Sequence, residues 1–276
     1  MSHTISTRLA DLIASYGDDV PLDQAAIAVA MEEDSKCDPA AVVDDLDTLT
    51  KATGHSPGVA PGRGMGRINE VLFRRFEFQG DRDNYHHIDN SLIHRVLGRR
   101  RGMPITLSLV YAEVARRLDI QLDGVGFPGH FVLRPRHSES AVFIDPFHQG
   151  RVLQEDQLWG LFQATYPEAT ITERAWQAML APVSNVGFIA RICRNLKASH
   201  AMRQDAAGVA RASRLLLVLN EGPEQYRDLG LALSSLGETA EATDALATYL
   251  ATVPEATDAA AMTARLSMLS LIPSGR

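Results

Sequence analysis

His130 and Asp145 are the two residues of this chain whose types and spacing best suit acid–base chemistry. His130 lies in Pro128-Gly-His-Phe131, and Asp145 lies 15 residues later in Ile144-Asp-Pro146. Short apolar runs surround both residues, and we expect these runs to form neighbouring strands that bring the two side chains together. A carboxylate that orients one nitrogen of an imidazole ring prepares the other nitrogen to act as a general base.

Both residues also have a purely structural interpretation. A buried histidine often does no more than satisfy a hydrogen bond in the core. An aspartate that ends a strand before a proline often caps a turn. The sequence leaves these interpretations open for His130 and Asp145, although the pairing of the two favours a functional role.

A nucleophile to accompany this pair is not evident. The best place for one is the start of the apolar helix predicted over 104–118, because a helix N-terminus favours a thiolate. Pro104 occupies that position and has no nucleophilic side chain. Hydroxyl groups lie nearby on Thr106 and Ser108, but Ser108 is about one turn into the helix and is expected to point elsewhere. A hydroxyl nucleophile is therefore the less favoured hypothesis.

The two cysteines, Cys37 and Cys193, are not predicted to be reactive. Cys193 lies in an apolar helical stretch and is typical of a small buried side chain. Cys37 lies close to Asp34 and Asp38, whose charges disfavour a thiolate. An enzyme that uses Cys193 as its nucleophile is a third and weaker hypothesis.

We predict that a pocket beside the histidine and aspartate pair is lined by Asn90, Arg101, Met103, Pro104 and Thr106. Arg101 ends a run of three arginines. Such a run is typical of a solvated face, and the alternative is a patch that binds an anion or an acidic partner.

The sequence predicts no metal site and no cofactor. His86 and His87 lie between Asp83 and Asp89. Adjacent residues of an extended chain point in opposite directions, so a polar loop is the better interpretation of this segment.

Length and composition indicate an ordinary globular protein. The chain has 276 residues, of which 45% are hydrophobic, and this is enough for one large domain or two smaller ones. Its formal net charge of −7 argues against nucleic-acid binding as the main role. No segment approaches the roughly 20 apolar residues of a membrane span, and no apolar signal-peptide core is present. We expect a cytoplasmic protein that contacts no membrane.

The apolar pattern predicts an α+β fold that is mostly helical. Residues 1–64 are predicted to form helices and a linker, and residues 65–180 a core in which the apolar helix packs on a small antiparallel sheet. Three strands are predicted, over 122–127, 130–134 and 141–144, with a hairpin loop over 135–140. From about Leu153 to the end the pattern is helical.

The region 181–276 is predicted to form helical repeats. Large, small and turn-forming residues recur at the positions of a tetratricopeptide-type repeat: Tyr226, Leu229, Gly230, Leu233, Ala242, Leu246 and Pro254. Gly237 marks the turn between the two helices, and a degenerate unit precedes them over 186–219. Repeat helices of this kind form grooves for peptides and partner helices.

Together these residues resemble the transglutaminase-like core fold, and specifically its bacterial subfamily with a tetratricopeptide-type C-terminal region. The resemblance covers roughly residues 65–255. The matching segments occur in the expected order: Ile68-Asn-Glu-Val-Leu-Phe73, Asp89-Asn-Ser-Leu92, Arg100-Arg-Gly-Met-Pro-Ile105, Gly124-Val-Gly-Phe-Pro-Gly-His-Phe131, Ile144-Asp-Pro-Phe147, Arg194-Asn-Leu-Lys197 and Tyr226-Arg-Asp-Leu-Gly230.

The resemblance implies a papain/transglutaminase-like core. In the enzymes of that superfamily a cysteine, a histidine and an aspartate form a catalytic triad, and His130 and Asp145 match the last two. The cysteine position falls at or next to Pro104, which removes the acyl-enzyme chemistry of the family because no thiolate can form a thioester.

The favoured hypothesis is a non-catalytic regulatory or protein-interaction protein with a vestigial His/Asp cleft. Its partner would be a protein or a peptide that binds the helical repeats and the cleft. The alternative is a hydrolase or amidase in which His130 and Asp145 work with water or with a nearby hydroxyl.

Overall fold

The structure is a computed structural model that describes residues 7–54, 57–136 and 142–271. These residues form two compact units. One, the core unit, spans residues 18–189, and the other, the repeat unit, comprises the described residues before 18 and from 190 onward. The predicted boundaries at 64/65 and 180/181 differ from this division and stay predictions.

Helices make up most of the structure. In chain order they are α1 Thr7–Tyr16, α2 Leu22–Glu33, α3 Pro39–Ala52, α4 Pro61–Asn69, α5 Ile93–Arg99, α6 Pro104–Arg116, α7 Glu155–Thr165, α8 Glu173–Met179, α9 Asn185–Met202, α10 Ala206–Val218, α11 Glu224–Leu236, α12 Thr239–Thr252 and α13 Ala259–Ser270. The strands are β1 Gln79–Gly80, β2 Arg101–Gly102, β3 Leu122–Val125, β4 Val132–Pro135, β5 Val142–Asp145 and β6 Arg151–Gln154. The predicted α+β, mostly helical class is confirmed.

Helix α6 is the central element of the core unit. Every residue from Pro104 to Ala115 is buried, as its nearly continuous apolar sequence predicts. Pro104 takes the first helical position, where the missing backbone N–H has no intrahelical partner to lose. The helix contacts α2, α3, α4 and α5 as well as the sheet.

Strands β3, β4, β5 and β6 form an antiparallel sheet in that order. Because α6 contacts both β3 and β4, the prediction of a small antiparallel sheet packed on the apolar helix is confirmed. The sequence does not predict β6, since it gives a helical pattern from about Leu153. Leu153 is the one buried residue of this strand, so the strand lacks the alternation by which a half-buried strand is recognised.

His130 lies in a turn and not at the start of a strand, contrary to the prediction. β4 begins at Val132, and the backbone N–H of His130 donates to the carbonyl of Phe127 at 3.1 Å. Gly129 has a φ of +79° in this turn, a conformation that glycine adopts most easily. The predicted hairpin loop over 135–140 falls mostly outside the described residues.

The helix predicted over 68–78 begins earlier and ends earlier than expected. α4 starts at Pro61, within the predicted linker, and continues as a wider helical turn over Glu70–Arg75. Proline is compatible with the first turn of a helix, so a segment rich in glycine and proline need not be a loop throughout. β1 follows and pairs in parallel with β2, which places Gln79 opposite Arg101.

The repeat unit contains the predicted helix pairs. α11 and α12 approach closely because Gly230 faces Leu246, and an added Cβ at Gly230 would lie 2.7 Å from Leu246 Cγ. Gly237 ends α11 in the left-handed conformation, as predicted for the turn. α9 and α10 form the preceding pair predicted over 186–219.

A charged cluster lies at the C-terminal end of α6. Arg117 donates to Asp23 of α2 at 3.0 Å and to Asp47 of α3 at 2.8 Å. Both Arg117 and Arg116 donate to Glu113, whose side chain is 1% exposed. Burial raises the pKa of the Glu113 carboxyl, and the two guanidinium groups offset that effect only in part. The cluster joins three helices around a mostly buried set of charges.

Candidate functional site

The carboxylate of Asp145 lies between two imidazole rings. Nε2 of His130 is 2.8 Å from Oδ2 of Asp145, and Nδ1 of His148 is 2.7 Å from the same oxygen. Asp145 ends β5, and His148 follows in a single turn of 3-10 helix over Pro146–His148. The structure therefore brings the predicted pair together and adds a second histidine to it.

Asp145 is both a turn cap and a histidine partner. Its Oδ1 accepts the backbone N–H of His148 at 3.2 Å, and the residue is 1% exposed. Burial acts to raise the pKa of Asp145, but the hydrogen bonds from His130 and His148 outweigh it and hold that pKa well below its usual range. The group is thus a carboxylate at neutral pH, and the two roles that the sequence left open coexist in one side chain.

Aromatic rings surround His130 and fix the orientation of its imidazole. Phe127 and Phe147 lie edge-on to the imidazole at centroid distances of 5.8 Å and 6.1 Å, and the His130 side chain is 12% exposed. Nε2 of His130 is thus the ring nitrogen that faces Asp145.

A surface cavity of about 480 Å³ lies beside this cluster, and His148 and Phe147 line it. Arg101, a predicted pocket residue, lines the same cavity together with Arg82. Gly80 of β1 belongs to the wall, and an added Cβ there would lie 2.4 Å from the Phe147 ring. Asp83 lines the cavity as well, so the two guanidinium groups face one carboxylate and leave the wall with a small excess of positive charge, which suits an anionic group.

The other predicted pocket residues lie buried around the start of α6. Asn90 and Thr106 are 0% exposed, Met103 is 3% exposed, and Pro104 is buried. The carbonyl of Asn90 accepts the backbone N–H of Met103 at 3.2 Å and also the hydroxyl of Thr106. These bonds anchor the segment that leads into α6, and they engage the Thr106 hydroxyl with the backbone.

The other side chains considered as nucleophiles are buried as well. Ser108 is 0% exposed, and its hydroxyl has no hydrogen-bond partner within the described part of the chain. Cys37 is 7% exposed and Cys193 is 0% exposed. The four side chains that the sequence offered as nucleophiles, those of Thr106, Ser108, Cys37 and Cys193, are therefore all buried.

Comparison with known proteins identifies the family. The model of the transglutaminase-like superfamily matches residues 40–194, which is more than half of the chain. This chain belongs to the transglutaminase-like superfamily. A tetratricopeptide-repeat model matches residues 196–267 of the same chain. Both parts of the resemblance drawn from the sequence are confirmed for this transglutaminase-like protein.

Its relatives include bacterial and animal proteins. A UPF0162 protein of Xylella fastidiosa (strain 9a5c) is 36% identical over 191 residues, which cover 69% of this chain and 68% of the relative. A UPF0162 protein of Pseudomonas aeruginosa is 33% identical over 202 residues, which cover 71% of each chain. F-box only protein 21 of Mus musculus is 42% identical over 97 residues, which cover 32% of this chain and 16% of that protein. No solved structure matches significantly.

His148 is the residue of the cluster that the sequence did not suggest. It lies three residues after Asp145, and Gln149 and Gly150 follow it with φ values of +60° and +70°. Asn69 holds this turn from the α4 side, because its Nδ2 donates to the Gly150 carbonyl at 3.1 Å. The only hint of His148 in the sequence is its position between Asp145 and the turn at Gly150, and this pattern is too common to indicate a functional histidine.

The three arginines of the run, Arg99, Arg100 and Arg101, make different contacts in this transglutaminase-like protein. Arg99 donates to Asn90 at 3.1 Å and to Asp81 at 3.2 Å, and Arg100 lies 5.5 Å from the centroid of the Phe76 ring. Arg101 lines the cavity. The solvated-face interpretation therefore does not describe Arg99, and the anion-binding interpretation stays open for Arg101.

The cluster has the groups for two kinds of chemistry. His130 with Asp145 has the arrangement of a general base and its orienting carboxylate. His130, Asp145 and His148 also offer three metal-ligating atoms within 4.8 Å of one another, and no second group of this kind occurs among the described residues. His86 and His87 lie in the polar turn predicted for them. Within the described ranges, no helix is long and apolar enough to cross a membrane.

Proposed function

We propose that this protein is a non-catalytic member of its superfamily that acts in the cytoplasm as a regulatory protein and binds a protein or peptide partner. The observation that carries this proposal is Pro104 at the first position of α6. The pyrrolidine ring of this proline has no atom that could act as a nucleophile.

The nearby hydroxyls support the same conclusion. Thr106 donates its hydroxyl to the Asn90 carbonyl, and Ser108 is completely buried. A nucleophile must be reached by the substrate and must lie within hydrogen-bond distance of its base. Neither hydroxyl has the exposure that this requires.

A groove in the repeat unit is the place where we propose that the partner binds. It has a volume of about 560 Å³ and is lined by residues of α9, α10 and α11. Its walls combine small apolar side chains such as Ala198 and Ala201 with charged ones such as Arg194 and Asp228. Apolar surface beside fixed charges suits a peptide or a helix that offers both kinds of side chain.

Replacing Ala201 with arginine is expected to weaken partner binding by at least about tenfold, because a long charged side chain would occupy the groove. The matched control is Met202→Arg, since Met202 is on the same helix, is 65% exposed and does not line the groove. Partners are first crosslinked to the tagged chain in its own cells, and the affinity of the purified partner is then measured. Equal binding by both variants would contradict a role for the groove.

A hydrolase is the second candidate, and the 2.8 Å contact between His130 and Asp145 favours it. In that function Nδ1 of His130 would remove a proton from water, and Asp145 would stabilise the resulting imidazolium ion. Such a reaction needs no protein nucleophile, so Pro104 does not exclude it.

We expect the hydrolysis rates of wild-type protein and of His130→Ala to be equal on a panel of peptide amides and carboxylic esters. General-base catalysis contributes about 10²- to 10⁴-fold to a rate, so even a modest contribution would be visible. The assay contains EDTA so that it reports on the protein side chains alone. A rate that falls in His130→Ala while its circular dichroism spectrum is unchanged would establish the hydrolase in place of the non-catalytic protein.

A further inference from the structure

The arrangement of His148 is not explained by the triad of the superfamily. A general base needs one orienting carboxylate, yet here a second imidazole approaches the same oxygen of Asp145 as His130 does. We propose that His130, Asp145 and His148 form a binding site for a divalent transition metal of the zinc class.

The ligand types and their spacing suit such an ion. Two imidazole nitrogens and one carboxylate oxygen form a typical ligand set for zinc, iron and nickel. Zinc binds these atoms at about 2.0–2.2 Å, so two ligands of one tetrahedral ion lie roughly 3.3 Å apart. The two nitrogens now lie 2.8 Å and 2.7 Å from Oδ2, and a shift of about half an ångström would open the space for the ion.

The proton balance of binding is simple. In the neutral form of each ring, the nitrogen that faces Asp145 donates its hydrogen to the carboxylate. When the metal takes that place, the hydrogen moves to Nδ1 of His130 and to Nε2 of His148, and no proton is lost. The carboxylate of Asp145 neutralises one of the two positive charges of the cation.

The surroundings hold the ligands in place. The backbone N–H of His148 donates to Oδ1 of Asp145 at 3.2 Å and leaves Oδ2 directed at the two rings. Phe127 and Phe147 fix the ring of His130. Groups that orient ligands in this way raise metal affinity.

The site is also accessible to an ion. The His148 side chain is 35% exposed and lines the cavity that contains Arg82 and Arg101. Three protein ligands leave a fourth position for water or an anion. Asp83 also lines this cavity, so the two arginines outnumber the carboxylate by one charge, which favours an anion there. Metal binding at this site does not depend on the groove of the repeat unit, so each proposal can fail without the other.

Titration of EDTA-treated, dialysed full-length protein with Zn²⁺ in a calorimeter tests the proposal. We expect saturation at one Zn²⁺ per chain. His148→Ala should bind at least about tenfold more weakly, since loss of a ligand costs no less than loss of a second-shell partner. His148→Gln serves as a second variant, because its amide can still donate to Asp145. Bound Co²⁺ should give the intense visible bands of a tetrahedral site in wild type and not in the two His148 variants.

The matched control is His86→Ala, because His86 is an exposed histidine outside the cluster. It should bind Zn²⁺ as wild type does. The proposal is overturned if wild type does not saturate with Zn²⁺, or if both His148 variants retain wild-type affinity. Binding that disappears in His86→Ala and persists in His148→Ala would overturn it as well.

Discussion

Asp145→Asn is expected to lower the free energy of unfolding of the core unit by about 3 kcal/mol at pH 7. The carboxylate is 1% exposed and accepts hydrogen bonds from the rings of His130 and His148 and from a backbone N–H. An amide has one accepting oxygen where the carboxylate has two. If that oxygen takes the place of Oδ2 and accepts both ring hydrogens, the amide nitrogen faces the backbone N–H of His148, and in the other orientation the amide donors face the imidazoles.

Urea unfolding followed by tryptophan fluorescence measures this loss, because both tryptophans, Trp159 and Trp176, lie in the core unit. The control is Asp123→Asn in β3, where the carboxylate is 13% exposed and pairs with Arg136, whose side chain is 51% exposed. Because water screens the guanidinium side of this pair, it contributes roughly 0–1 kcal/mol. Equal losses in the two variants would show that the Asp145 cluster adds no more than a surface ion pair.

The pH dependence of the same experiment follows from the lowered pKa of Asp145. A carboxyl group whose pKa is lower in the folded state than in the unfolded chain stabilises the fold fully above the unfolded value of about 3.9. The contribution disappears as the pH falls from there toward the folded pKa. The stability difference that this carboxylate causes between wild type and Asp145→Asn should therefore shrink only below about pH 4.

The features that the sequence predicts correctly are those with a local pattern. α6 is recognisable because its apolar residues continue around the whole helix, and Pro104 is compatible with its first turn. The pair of His130 and Asp145 follows from two short apolar runs, which form the neighbouring antiparallel strands β4 and β5. Gly230 and Gly237 are recognisable because a close helix approach and a left-handed turn each require glycine.

The features that the sequence misses depend on contacts between distant segments. His148 joins the cluster because the chain turns back after β5, through Gln149 and Gly150, and continues as β6. Asn69 of α4 stabilises that turn across 81 residues of sequence. β6 itself has one buried side chain. None of these contacts produces a periodic pattern, so a histidine at position 148 looks like an ordinary loop residue.

The cavity shows the same limit. Arg101 of the predicted pocket lines it, and the pairing of β1 with β2 brings Gly80 to the same wall. Phe147 comes from the turn after β5 and lies against Gly80. β1 and β2 contain two residues each, which is too short for a recognisable strand pattern. The predicted pocket therefore included residues that anchor α6 and omitted most of those that form the cavity wall.

Arg117→Met is expected to lower the free energy of unfolding by about 3–5 kcal/mol at pH 7, whereas Glu113→Gln should change it by no more than about 1 kcal/mol. The cluster at the end of α6 contains three carboxylates and two guanidinium groups. Removal of Arg117, which is 13% exposed, leaves the carboxylates facing the half-exposed Arg116. Removal of the Glu113 charge instead leaves two carboxylates facing two arginines.

The pH dependence distinguishes this explanation from a loss of packing. Burial raises the pKa of Glu113 and the charge of Arg117 opposes that rise, so Arg117→Met raises the pKa further. A carboxyl group with a raised folded pKa favours the fold at low pH, and that advantage is lost as the pH rises through the folded value. The deficit of Arg117→Met should therefore be smaller at pH 5 than at pH 7. A deficit that is the same at both values would show that the methionine fails to fill the space of the arginine, and that charge is not the cause.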